Sequence, residues 1–147
     1  MVLAIFKLLD PVQTETVKQN ALNTVNMLLM TQAPVIIENM QHYLNHIISM
    51  ANDQSKTVRW RILQGIATIL DFNPDIITEN LSPVLDLMTL ALRERDQQLA
   101  TSSCDFWYIL LSYEGSEESI VEAVRTRLPA LLPLLLECCL YTEHDRM

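Results

Sequence analysis

The chain has 147 residues, half of them hydrophobic, only two glycines (Gly65 and Gly115) and a formal net charge of −8. Two glycines leave little room for tight hairpins or a glycine-rich phosphate loop, so sheet proteins and nucleotide-binding folds drop out. Ten basic against eighteen acidic residues exclude a phosphate-backbone binder, which needs clustered Lys and Arg. The acid surplus serves solubility and suits a positively charged partner.

Residues 2–9 predict a first helix, which Asp10-Pro11 breaks. This apolar start is short and lacks the basic residues of a signal peptide. Residues 14–30 predict a second helix, with Val17, Ala21, Val25, Leu28 and Leu29 on a 3.6-residue period. Pro34 opens a third, reaching residue 51. The polar turn 52–55 follows, and Ser55 is placed to cap a fourth helix over 56–71, which stops at Asn73-Pro74. Residues 80–93 form a fifth, with Pro83 tolerated in its first turn, and residues 96–112 a sixth. After an irregular stretch at 113–118 comes a seventh, expected in two pieces bent at Pro129. Its segment 128–140 is the most apolar run of the chain. That run is too short to span a bilayer and holds Pro129 and Pro133, so it reads as a buried helix of the array, although at the end of a solenoid slice it is also expected to expose an apolar face.

Superimposed on these helices is a period of 41 residues. Val17, Val58 and Leu99 are so spaced, as are Leu22, Leu63 and Cys104, then Val25, Ile66 and Trp107, then Leu29, Leu70 and Leu111. A second set lies upstream in each unit: Leu3, Leu44 and Leu85, then Phe6, Ile47 and Met88. A fixed period of this size with helical spacing marks a stack of helical hairpins, each an A helix followed by a B helix. The expectation is an all-α solenoid, a right-handed superhelical stack of antiparallel pairs. It forms a single array of about three and a half repeats: 1–31 (partial), 34–72, 78–113 and 117–147 (partial).

No Ser/His/Asp or Cys/His arrangement has a framing motif, so the chain is expected to bind and not to catalyse. No cofactor or metal is expected. His42 and His46 stand four apart, a spacing that can hold a metal, but no third ligand is near and a solvated pair is the plainer reading. Cys104, Cys138 and Cys139 read as reduced, buried thiols of an intracellular protein. Trp107 lies on the core period, with Phe106 packed beside it. Glu114, Glu117, Glu118 and Glu122 form an acidic group, read first as a solvated helix start and second as a dock for a basic partner. Trp60 differs from these: at 100° per residue it falls opposite Val58, Ile62, Ile66 and Ile69. Gln64, Asp105 and Tyr108 project to the same side of successive B helices. The strip Trp60, Gln64, Asp105 and Tyr108 is therefore a candidate protein-binding surface, since exposed aromatics serve as interface anchors. The alternative is that the aromatic rings cover a neighbouring helix.

The segment 52–59, NDQSKTVR, resembles the turn of HEAT repeats, with an acid in the turn and Val-Arg entering the B helix. Asp53, Val58 and Arg59 match it. The resemblance implies that Asp53 and Arg59 belong to a hydrogen-bonded ladder between units. One unit earlier only Val17 and Lys18 remain, with Val12 in place of the acid. One unit later Glu94 and Leu99 match, but Ala100 replaces the arginine, so the ladder is expected to be incomplete. The segments SSCDFWYILL (102–111) and RTRLPALLPLLLECCLYTEHD (125–145), with the helix end NMLLM (26–30), resemble nuclear import receptors of the importin-β superfamily, one branch most closely. The resemblance implies a piece of a longer solenoid whose B helices line a concave face. It implies protein partners: cargo, the Ran GTPase and Phe-Gly nucleoporins. Direct nucleic-acid binding and membrane insertion are not implied, and the location is cytoplasm and nucleus. A HEAT scaffold of another complex, such as a phosphatase or kinase-regulatory subunit, stays open as a second reading.

Overall fold

In a computed structural model, which describes residues 2–113 and 118–140, the chain is helical throughout. Nine helices occur among the described residues: α1 (Val2–Lys7), α2 (Glu15–Met30), α3 (Pro34–Ile37), α4 (Met40–Ser49), α5 (Lys56–Phe72), α6 (Pro74–Glu79), α7 (Leu81–Arg93), α8 (Gln97–Ser112) and α9 (Glu118–Cys139). The long helices α2, α5 and α8 lie side by side as a B layer. α4 packs on α7 and α7 on α9 as an A layer, with α4 turning back onto α5 and α7 onto α8. This is an all-α HEAT-repeat solenoid.

Nine helices replace the expected seven because the expected third helix is broken in two and a further short helix precedes the expected fifth. Pro34 and Pro74 each open a short first piece, α3 and α6. Asn39 and Asn80, 41 residues apart, end those pieces. Asn39 Nδ2 donates to the Val35 carbonyl at 2.8 Å, and Asn80 Nδ2 to the Ile76 carbonyl at 3.0 Å. An asparagine amide that takes a backbone acceptor four residues back competes with helix continuation. The B helices start as the sequence reading expected. Ser55 Oγ accepts from Val58 N at 3.3 Å. Its counterpart 41 residues on, Asp96, accepts from Gln98 N at 3.0 Å and Leu99 N at 3.2 Å.

The core follows the period. Leu22 and Leu63 are buried, as are Val25, Ile66 and Trp107, and the A-helix pairs Leu44 with Leu85 and Ile47 with Met88. Phe106 meets Trp107 edge-on, 5.9 Å between ring centroids. α2 and α5 approach closely over Gly65. Asn26, buried between them, accepts from the Tyr43 hydroxyl at 3.0 Å and donates to the Arg61 carbonyl at 3.0 Å. Burial pushes the Tyr43 hydroxyl far above the usual phenol range, so it stays a donor. A Cβ at Gly65 would stand 2.7 Å from Asn26 Oδ1 and 3.3 Å from the Tyr43 hydroxyl. Gly65→Ala is therefore expected to destabilise the fold by about 1–3 kcal/mol through overpacking. In a urea titration the loss should shrink when Asn26→Ala is already present, because the clashing atom is then gone.

The last helix departs from expectation twice. α9 runs unbroken through Pro129 and Pro133 instead of splitting at Pro129. Both prolines, and Arg125 one turn before them, are exposed. The carbonyls that lose their N–H partners therefore face water, which satisfies them. Nor is segment 128–140 buried: Leu131 is, but Leu132, Leu136 and Leu140 are exposed. Cys138 and Cys139 are exposed and Cys104 is half-buried, against the expectation of buried thiols. Burial, then the neighbouring Cys138 and Cys139, pushes the Cys104 thiol up, and burial raises Cys138 as well. Of the acidic group, Glu114 and Glu117 lie outside the described residues. Glu118 and Glu122 are exposed in the first turns of α9. No helix among the described residues is long and apolar enough to cross a membrane.

Candidate protein-binding surface

The units are tied by ion pairs that repeat with the period. Lys18 on α2 pairs with Asp53 in the turn before α5, and Arg59 Nη2 on α5 pairs with Glu94 Oε2 in the turn before α8 at 2.6 Å. Lys18 and Arg59 are 41 apart, as are Asp53 and Glu94, so these are two rungs of one ladder. Arg59 also reaches back to its own turn, donating through Nη1 to the Asp53 carbonyl at 2.6 Å and the Gln54 carbonyl at 3.2 Å. Asp53 Oδ1 accepts from Ser55 N at 2.9 Å, which fixes the turn. A second, more exposed line runs beside the first. Ser55 Oγ meets Glu15 Oε1 at 2.7 Å, and Lys56 Nζ meets Asp96 Oδ2 at 2.6 Å. The Lys56 contact is the main cause of the lowered carboxyl pKa of Asp96. In the A layer, Arg127 of α9 bridges to Asp86 of α7 at 2.9 Å and to Ser82 Oγ at 2.9 Å. These rungs set the relative rotation of neighbouring hairpins and so the line of side chains on the B layer.

On that layer the four strip residues lie on two neighbouring helices, Trp60 and Gln64 on α5 and Asp105 and Tyr108 on α8. Trp60 is half-buried, and the guanidinium of Arg61 lies over its ring, 4.5 Å from the centroid. Arg61 Nη1 donates to Gln64 Oε1 at 3.0 Å, so Trp60, Arg61 and Gln64 act as a unit on α5. Asp105 and Tyr108 are exposed on α8, and among the described residues neither is hydrogen-bonded to that unit. Tyr108 has a double position. Its counterpart on α2, Asn26, is buried against α5, whereas Tyr108 is 74% exposed on the uncovered flank of α8. Leu111 shares that flank: its counterparts Leu29 and Leu70 are buried, and it is 63% exposed.

His42 and His46 flank Phe6, with ring centroids 5.3 and 6.1 Å from it, and line an open groove with Lys7, Asp10 and Pro11. Among the described residues no group of three or more His, Cys, Asp or Glu side chains is arranged to hold a metal ion. Arg61 was not a candidate in the sequence reading. Its signal was there: Thr57, Val58, Gln64 and Gly65, its helix neighbours at three and four residues, carry no acid to pair with it.

Two known proteins align with nearly all of the chain. Transportin of Dictyostelium discoideum is 26% identical over 128 residues, 87% of this chain and 13% of that protein. Importin subunit beta-2 of Saccharomyces cerevisiae is 21% identical over 138 residues, 92% of this chain and 15% of that protein. No protein-family model matches. The chain thus spans about a seventh of the length of these relatives. Their likeness supports the importin-β family, in agreement with the motifs at 52–59, 102–111 and 125–145.

Proposed function

We propose that the chain is a protein-binding segment of a transportin-like nuclear import receptor, working by binding and not by chemistry. The alignment of 87% and 92% of the chain with transportin and importin subunit beta-2 is the observation that carries this reading. A solenoid with a continuous B layer supports it, because such layers present extended binding surfaces. In this reading the chain is one array, and the B layer is its concave face. Trp60, Gln64, Asp105 and Tyr108 contact a protein partner there, while the rungs at Asp53 and Arg59 hold the face in shape. The family resemblance makes cargo, Ran and Phe-Gly nucleoporins the partners of the whole receptor, which moves between cytoplasm and nucleus.

The outer surface offers a test independent of the strip. Phe-Gly repeats are expected in the A-layer groove between α4 and α7, beside the partly exposed Leu90 of α7. A fluorescent Phe-Gly peptide should bind the chain, and a Ser-Gly control should not. Leu90 is 42% exposed, so Leu90→Arg can close the groove without emptying the core. It is expected to abolish the Phe-Gly binding. Equal binding of the Phe-Gly and Ser-Gly peptides, or binding indifferent to Leu90→Arg, counts against this reading.

A further inference from the structure

The B layer of this acidic chain carries four cations: Lys18, Lys56, Arg59 and Arg61. The first three each hold a carboxylate of a neighbouring turn. Arg61 has no carboxylate partner among the described residues. It is half-buried, sits over the Trp60 ring, and donates one N–H to Gln64 Oε1. Its backbone carbonyl is tied to Asn26, which sets the turn of α5 that bears it against the middle of α2. The α2 residues of that stretch, Asn23, Thr24, Asn26 and Met27, are all uncharged.

We infer that Trp60, Arg61 and Gln64 form a recognition site for a carboxylate side chain of an acidic peptide segment. A guanidinium carries five N–H donors, of which one is spent on Gln64. The remaining edge offers the two parallel N–H bonds that a carboxylate accepts. Gln64 gives its oxygen to Arg61, which leaves its NH2 as a further donor at the same place. Contact with the indole ring and the bond to Gln64 hold the guanidinium in place in advance, so less side-chain freedom is lost when a partner arrives. One guanidinium flanked by neutral amides matches a single negative charge. Phosphate-bearing partners are met by clusters of arginine, and a dianion would also face the net charge of −8. A lone ion pair on an open helix face contributes little, so the ligand is a peptide that also lies on the Trp60 ring. This inference rests on the B-layer strip being a protein-binding face, and it gives that face an acidic partner where net charge alone suggests a basic one.

The test uses fluorescein-labelled peptides that share an aromatic and leucine backbone pattern and differ in carrying Glu, Gln, Lys or phosphoserine at alternate positions. Each is titrated with the full chain and followed by anisotropy. The Glu peptide should bind about tenfold tighter than the Gln peptide, the advantage expected of hydrogen bonds to a charged group. Arg61→Gln should remove that advantage. Arg61→Lys, which keeps the charge but not the fork, should keep only part of it. Thermal melts of both variants should match the parent chain. A Glu advantage unchanged by Arg61→Gln overturns the inference. Tighter binding of the Lys or phosphoserine peptide, lost on Trp60→Ala, overturns the carboxylate assignment and leaves the binding face standing. No detectable binding of any peptide overturns both.

Discussion

Asp53→Ala is expected to cost about 3–5 kcal/mol, the loss seen when one partner of a buried ion pair is removed. The side chains of Lys18 and Asp53 are only 10% and 12% exposed. Truncation at 53 therefore leaves an ammonium in a site from which water is largely excluded. It also takes the acceptor from Ser55 N and loosens the turn that caps α5. The comparison that isolates burial is Lys56→Ala. Its partner is again an aspartate of the following turn, but the two side chains are 52% and 21% exposed, so the expected cost is about 0–1 kcal/mol. Lys18→Met combined with Asp53→Leu should recover much of the stability lost in Asp53→Ala, because apolar residues can replace a buried pair outright. Urea titrations of the single and double variants give the ranking. Equal costs for Asp53→Ala and Lys56→Ala would show that the inner rung is no more buried in effect than the outer one.

Ile66→Ala should lower stability by about 2–5 kcal/mol. Ile66 is fully buried on α5, the central B helix, which packs against α2 on one side and α8 on the other. Both flanking helices are pinned by ladder rungs, so neither can move in to fill the space, and the cavity term is retained. The triplet Leu29, Leu70 and Leu111 supplies the control. Leu70→Ala should cost nearly as much as Ile66→Ala, since Leu70 is 2% exposed. Leu111→Ala, at the same repeat position but exposed, should stay within about 0.5 kcal/mol. Identical residues at identical repeat positions then differ only in whether a further helix covers them. Denaturant midpoints at constant m-value would measure all three.

That contrast marks the boundary of what the sequence made legible. The 41-residue period, the B-helix spans and the Ser55 cap are local patterns, and each appears in the structure where the pattern placed it. Lys18–Asp53 and Arg59–Glu94 were partly legible, because the residue types repeat at 41, but their pairing across units is a matter of how hairpins rotate against each other. The break at Asn39 and the short helix α6 were missed although Pro34 and Pro74, then Asn39 and Asn80, recur with nearly the same period. An asparagine inside an apolar helix pattern is a weak breaker alone and a clear one only with its i−4 acceptor in view. Pro129 was read as a bend because the helix-breaking rule assumes a carbonyl with nowhere to turn. On an exposed face it turns to water. Cys138 and Cys139 were read as buried from their apolar character, yet burial depends on which neighbour covers a face. Arg61 escaped notice for the opposite reason: a charged residue on a solvent-facing helix draws attention only once its missing partner and its aromatic neighbour are seen together.

The central claim is that the B-layer strip serves binding while the period residues serve folding. The most direct measurement pairs a thermal melt with partner binding in one variant, Trp60→Ala with Tyr108→Ala. Neither ring is fully buried, and neither lies on the core period. The account predicts a melting temperature close to that of the parent chain, binding of the strip's protein partner weakened at least about tenfold, and Phe-Gly binding at the A-layer groove unchanged. A variant that unfolds as readily as Ile66→Ala, with both binding activities lost together, would place the two rings in the core and contradict the claim.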